Sequence, residues 1–133
     1  MGEASVLRWS LLIGGLIIIA DLGTLVIQQR IAAGPDVLNA LDIADQVVSI
    51  LLYSLVGVAV QRETGRVYLG GLAGLLAGLL DGIVLAAAAS LAPRPGDEAN
   101  TPEMQLLWNV IEGALLAAVS AWFSTLARRR AGR

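Results

Sequence analysis

The sequence predicts an all-α polytopic membrane protein, a four-transmembrane-helix bundle built from two tandem helical hairpins. Three observations carry this expectation. The 133 residues are 56% hydrophobic, with a mean hydropathy of +0.74, well above a soluble domain. The apolar residues fall into four segments, near 7–29, 36–61, 67–92 and 102–127, each meeting the roughly 20 residues a bilayer crossing needs. The third segment carries Gly70, Gly74, Gly78 and Gly82 at every fourth position, a series that Ala86 and Ser90 continue. In water each interior glycine would cost about 1 kcal/mol relative to alanine. In lipid the helix is enforced, because the backbone has no water to bond. Small residues at this glycine-zipper spacing then let a second helix pack closely.

The first segment follows Arg8, and Asp21 interrupts its apolar run, which resumes to Ile27. We read a retained helix and not a cleaved signal peptide. Val6 stands where the N-myristoylation pattern needs Ser or Thr. The second segment opens at Pro35-Asp36, with Asp36 the expected N-cap. The fourth opens at Thr101-Pro102-Glu103, with Thr101 capping and Pro102 at the first helical position. Trp9, Tyr68 and Trp108 fall near segment ends, as an aromatic belt would.

The chain reads as one integral membrane domain over 1–133, with hairpins at 1–62 and 66–129. A shift of 60 residues places Asp21 on Asp81. A shift of 67 places Asp42 on Asn109, Asp45 on Glu112 and Arg62 on Arg129. Two crossings per unit make this a parallel repeat.

Charge bounds the function. All nine basic residues are arginine, the net charge is −2, and no basic face suggests nucleic acid. With neither Cys nor His, there is no thiolate site, no imidazole base and no expected cofactor. HExxH, P-loop and Ser–His signals are missing, and Leu79-Leu80-Asp81 lacks the Gly-x-Gly lead of an intramembrane aspartyl protease, so an enzyme is not expected.

The polar residues inside the apolar segments are the candidate site. Measured from the nearest arginine at the other end of its own segment, Asp21 is 13 residues away, Asp45 17, Asp81 15 and Glu112 16. At 1.5 Å per residue all four lie roughly 20–25 Å from that surface, in one layer, with Asp42 about a turn further out. Asp81 also lies within about 60° of Gly78 on its helix. An acid deep in a span costs on the order of 2.5–3.5 kcal/mol even on lenient scales, and no arginine falls in this layer. Shared protons, a bound cation or a wetted outer vestibule would each relieve the cost. Carboxylate, amide and hydroxyl donors suit protons and hard cations such as Na⁺, Ca²⁺ or Mg²⁺, and organic cations also fit them. Asn109, Gln46, Ser49 and Thr24 are the expected polar lining. The bland alternative is that Asp45 and Glu112, nine residues from their helix starts, simply reach wet headgroups.

One stretch adds a resemblance. Arg8-Trp9-Ser10-Leu11-Leu12-Ile13-Gly14-Gly15-Leu16 followed by Asp21-Leu22-Gly23 resembles the first helix of GtrA-type proteins, small four-helix membrane proteins implicated in moving lipid-linked sugars. The Asn-Thr of that family after the glycine pair is missing, and this chain reads Gln61-Arg62-Glu63-Thr64-Gly65 where the family carries its second signature. The resemblance implies no site residue here.

The expectation is therefore a cation- or proton-handling transporter or channel component in a bacterial or archaeal inner membrane. It would act as a homo-oligomer or beside a partner membrane subunit. The rival class is a structural or assembly subunit of a larger membrane complex. Seven of the nine arginines (Arg8, Arg62, Arg66, Arg128, Arg129, Arg130 and Arg133) fall on one side, against Arg30 and Arg94 on the other. That bias predicts cytoplasmic termini. Impermeant labelling of cysteines introduced at 97–100 should succeed from outside the cell, while a label at the C-terminus should not react. External labelling of the C-terminus would reverse the orientation.

Overall fold

A computed structural model describes residues 2–30, 34–91 and 101–131. The described residues form four α-helices and no strand: α1 (Gly2–Arg30), α2 (Pro35–Thr64), α3 (Val67–Leu91) and α4 (Pro102–Ala131). All four are long and apolar enough to cross a membrane. At 1.5 Å per residue, the 25 residues of α3 span about 38 Å, more than a hydrocarbon core of about 30 Å. The exterior is as apolar as lipid requires. Ile19 is 69% exposed, Ile43 66%, Leu115 60% and Phe123 60%, and side chains of this kind face acyl chains at no hydrophobic cost. The chain is an integral membrane four-helix bundle.

The helices run past the predicted segments at most ends, because the backbone ladder continues through polar turns such as 62–64 and 128–131. One local expectation is corrected. Asp36 is not the N-cap of α2. Gly34 holds that position with extended backbone, Pro35 takes the first turn, and Asp36 lies inside it. Proline's fixed φ suits the first helical position, so the start moves one residue earlier. Thr101 caps α4 as its sequence suggests, its hydroxyl accepting from the Met104 N–H at 3.3 Å. Between α2 and α3 the chain turns within Gly65 and Arg66. Gly65 adopts φ 71°, which a side chain disfavours, and its N–H closes α2 on the Gln61 carbonyl at 2.8 Å. The 93–100 stretch with its acids and Arg94, and Arg133 at the C-terminus, lie outside the described residues.

Each hairpin is antiparallel, and the two stand side by side. The resulting ring order is α1, α2, α4, α3, and α1 makes no contact with α4. Corresponding helices of the hairpins are thus parallel neighbours: α1 lies along α3, where the Ser10 hydroxyl donates to the Ala73 carbonyl at 3.0 Å, and α2 lies along α4. The most extensive contact joins α3 to α4.

That contact is built from missing side chains. A Cβ on Gly74 would collide with the Gly113 carbonyl and Ala117. One on Gly78 would collide with the Asn109 carbonyl. Gly70 and Gly82 belong to the same strip, against Ala121 and Leu106 respectively, and Gly70 also touches the Gly57 carbonyl of α2. The core beside this strip is small or β-branched: Ile13, Ile17, Val56, Val60, Ala73, Ala77 and Ala117 are all at most 1% exposed.

This packing makes a paired prediction. Gly74→Leu should destabilise the purified protein by at least about 1–3 kcal/mol, the range for overpacking. Gly15→Ala should change stability by less than about 1 kcal/mol, because nothing lies within 4 Å of its added methyl. Thermal melts in detergent read both, and equal melting temperatures for the two variants would contradict the close-packed strip.

Candidate functional site: an acid-lined cavity

The buried stripes of α1 and α3 each carry an acid at or next to their last residue. In α1 the stripe is Val6, Ser10, Ile13, Gly14, Ile17 and Asp21. In α3 it is Leu69, Gly70, Ala73, Gly74, Ala77, Gly78, Asp81 and Gly82. Spacings of three and four keep each series on one face. Because α1 and α3 are parallel, the two stripes converge and bring Asp21 and Asp81 together. The Asp21 carboxyl lies within hydrogen-bonding reach of those of Asp81 and Asp45. Asp81 is 2% exposed and Asp21 9%.

These acids form the floor of a cavity of about 840 Å³ that extends to the end of the bundle where α1, α3 and α4 carry Gln28, Ser90 and Thr101. Asp21, Asp42, Asp45, Asp81 and Glu112 all line it, as do Thr24, Gln46, Ser49 and Asn109. No arginine does so among the described residues. All five candidate acids and the four expected lining residues therefore border one space. The four packing glycines do not line it.

Hydrogen bonds tie the acids to neighbouring helices. Thr24 of α1 donates to Asp45 of α2 at 3.0 Å, Ser49 of α2 to Asp21 at 3.4 Å, and Gln28 to Asp42. Gln46 of α2 donates to Glu112 of α4. On Asp81, one oxygen, Oδ2, accepts from Asn109 Nδ2 at 2.9 Å and from the Tyr53 hydroxyl at 3.3 Å. The other, Oδ1, is fully buried and has no hydrogen-bond partner. A buried polar atom without a partner costs roughly 1–3 kcal/mol, more if it is charged. No group of three or more acids among the described residues is arranged to hold a metal ion.

Several site residues were not evident as such in the sequence. Tyr53 lies in the second apolar segment, seven residues after Gln46, with no motif to mark it. In the fold its ring, 1% exposed, lies against Gly113 and its hydroxyl reaches Asp81. Trp108 reads as a belt aromatic, yet it lines the cavity with Leu25, Leu85 and Met104. At the opposite end, Glu63 pairs with Arg8 and accepts from Trp9 Nε1 at 3.0 Å. No sequence signal pairs them, since residues of different helices carry no fixed spacing.

No family model, curated protein or solved structure matches the chain, and the functional reading rests on the cavity itself.

Tyr53→Phe tests the geometry of the floor. It keeps the ring and removes one of two donors to Asp81 Oδ2. We expect a loss of about 1–3 kcal/mol in unfolding titrations. An unchanged unfolding midpoint would mean that this hydroxyl does not bond Asp81.

Proposed function

We propose that this small membrane protein is a transport component that takes a proton or a cation from the outer side into the acid-lined cavity. Asp81 and Asp21 are the binding carboxyls, and Asp45, Asp42 and Glu112 draw positive charge toward them. One observation carries the reading: Asp81 Oδ1 is buried without a partner beside a second carboxyl, at the floor of a cavity lined by acids alone among charged groups. Two carboxylates about 4 Å apart repel by about 4 kcal/mol at an effective dielectric of 20. A proton shared by Asp21 and Asp81, or a cation beside both, removes that repulsion.

A dedicated divalent-metal site fits less well, because no three acids converge at metal-binding spacing among the described residues. A wetted headgroup zone accounts for Asp42, which is exposed. It does not account for Asp81, which is 2% exposed. The GtrA resemblance is confined to one helix, and of this site it includes only Asp21, to which it assigns no role. Partner-subunit and homo-oligomer readings draw on no specific contact here, and the Asp81 variant below tests the first of them.

Asp81→Asn should leave the bundle folded. The amide oxygen can accept from Tyr53 and Asn109, while its NH₂ can donate to Asp21. We expect the wild-type melting temperature to vary with pH between about pH 4 and pH 9, or with added Na⁺, Ca²⁺ or Mg²⁺, and Asp81→Asn to abolish that dependence together with flux in liposomes. A wild-type melt indifferent to pH and to every cation would overturn the proposal. Loss of a co-purifying partner on Asp81→Asn would favour the assembly-subunit reading instead.

A further inference from the structure

The size and walls of the cavity narrow its ligand. A single ion with its ligands fills a small fraction of about 840 Å³, whereas small-molecule sites run from about 300 to 1,000 Å³. The walls are not uniformly polar: Leu25, Leu85, Met104 and Trp108 share the lining with the acids. Apolar walls bind hydrocarbon, an indole face attracts a cation, and a field of acids without a base repels anions. Asp21 and Asp81 are the most deeply buried of the acids that line the cavity, so the charge of such a ligand would be met at its Asp21–Asp81 end.

We infer that the cavity binds a monovalent organic cation with apolar substituents, an ammonium or phosphonium, in exchange for a proton held between Asp21 and Asp81. This rests on the cation-or-proton reading above and specifies its substrate class. The titratable groups facing the pair are acids and a phenol, Asp45 and Tyr53 from α2 and Glu112 from α4, beside the neutral donors Ser49 and Asn109. No base among the described lining residues competes for the pair. The charges balance. With one proton the pair carries −1. When the cation arrives, the proton leaves for the cavity water, and two carboxylates with one cation again carry −1. A monocation therefore enters and a proton departs with no net charge moved.

The experiment is calorimetric titration of tetraphenylphosphonium, and of the smaller tetraethylammonium, into the full chain in lipid nanodiscs. It is run at several pH values and in two buffers of different ionisation enthalpy. We expect saturable binding of the larger cation with about one proton released per cation, and an apparent affinity that falls toward tenfold per pH unit on the acid side. Asp81→Asn should bind at least tenfold more weakly and release no proton, while nanodisc partitioning alone would affect both proteins equally. The wild-type proton count keeps the test valid should that variant fail to fold. Binding without proton release would overturn the exchange. Absence of binding by either cation, with a wild-type melt that still responds to pH through Asp81, would overturn this inference and leave the simpler proton reading standing. Absence of both responses would overturn the two together.

Discussion

The backbone-to-backbone approach of α3 and α4 is the constraint on which the rest of this structure depends. Lipid gives little hydrophobic drive for helices to associate, so close packing must supply it. Here it comes from glycines whose absent side chains admit the neighbour's carbonyls, Gly74 against Gly113 and Gly78 against Asn109. Asn109 serves two ends of the same contact. Its carbonyl lies where a Cβ on Gly78 would be, and its side chain donates to Asp81 less than one turn further along α3. A wider α3–α4 separation would remove that donor from a buried acid.

The bundle is divided by chemistry along its length. In the half near Arg8, Arg62 and Arg66, alanine, valine and isoleucine close the interior. In the other half the stripes turn polar and the helices enclose a cavity. The change occurs at one level because Asp21 and Asp81 sit at or next to the ends of buried stripes, while Tyr53 fills the space beside Gly113 between the closed half and the open one. This arrangement places an ionisable pair at the boundary between a dry and an accessible region. That is where uptake of a charged ligand changes the energetics of the bundle most, since the low-dielectric side magnifies each charge.

The acids answer to more than one demand. Thr24, Gln28, Gln46, Ser49, Tyr53 and Asn109 each donate to a carboxyl on another helix. Such bonds link the helices as well as line the site. Membrane interiors tolerate polar groups when partners are at hand, and among the described residues Asp81 Oδ1 is the buried side-chain oxygen left without a donor.

The sequence by itself determined the number of helices, their approximate limits and the presence of deep acids. These depend on one-dimensional properties: apolar length against bilayer thickness, and distance along a helix at a fixed rise. It also made the glycine series visible, because a four-residue spacing stays near one helix face. Only the tertiary structure decided which helices are neighbours. The order α1, α2, α4, α3 puts Asp21 beside Asp81, brings Tyr53 of α2 to an acid of α3, and turns Trp108 into a cavity wall. Spacing within a helix specifies a face but not what that face meets. Pairings such as Tyr53 with Asp81 or Glu63 with Arg8 arise from packing across helices, where no sequence interval is repeated.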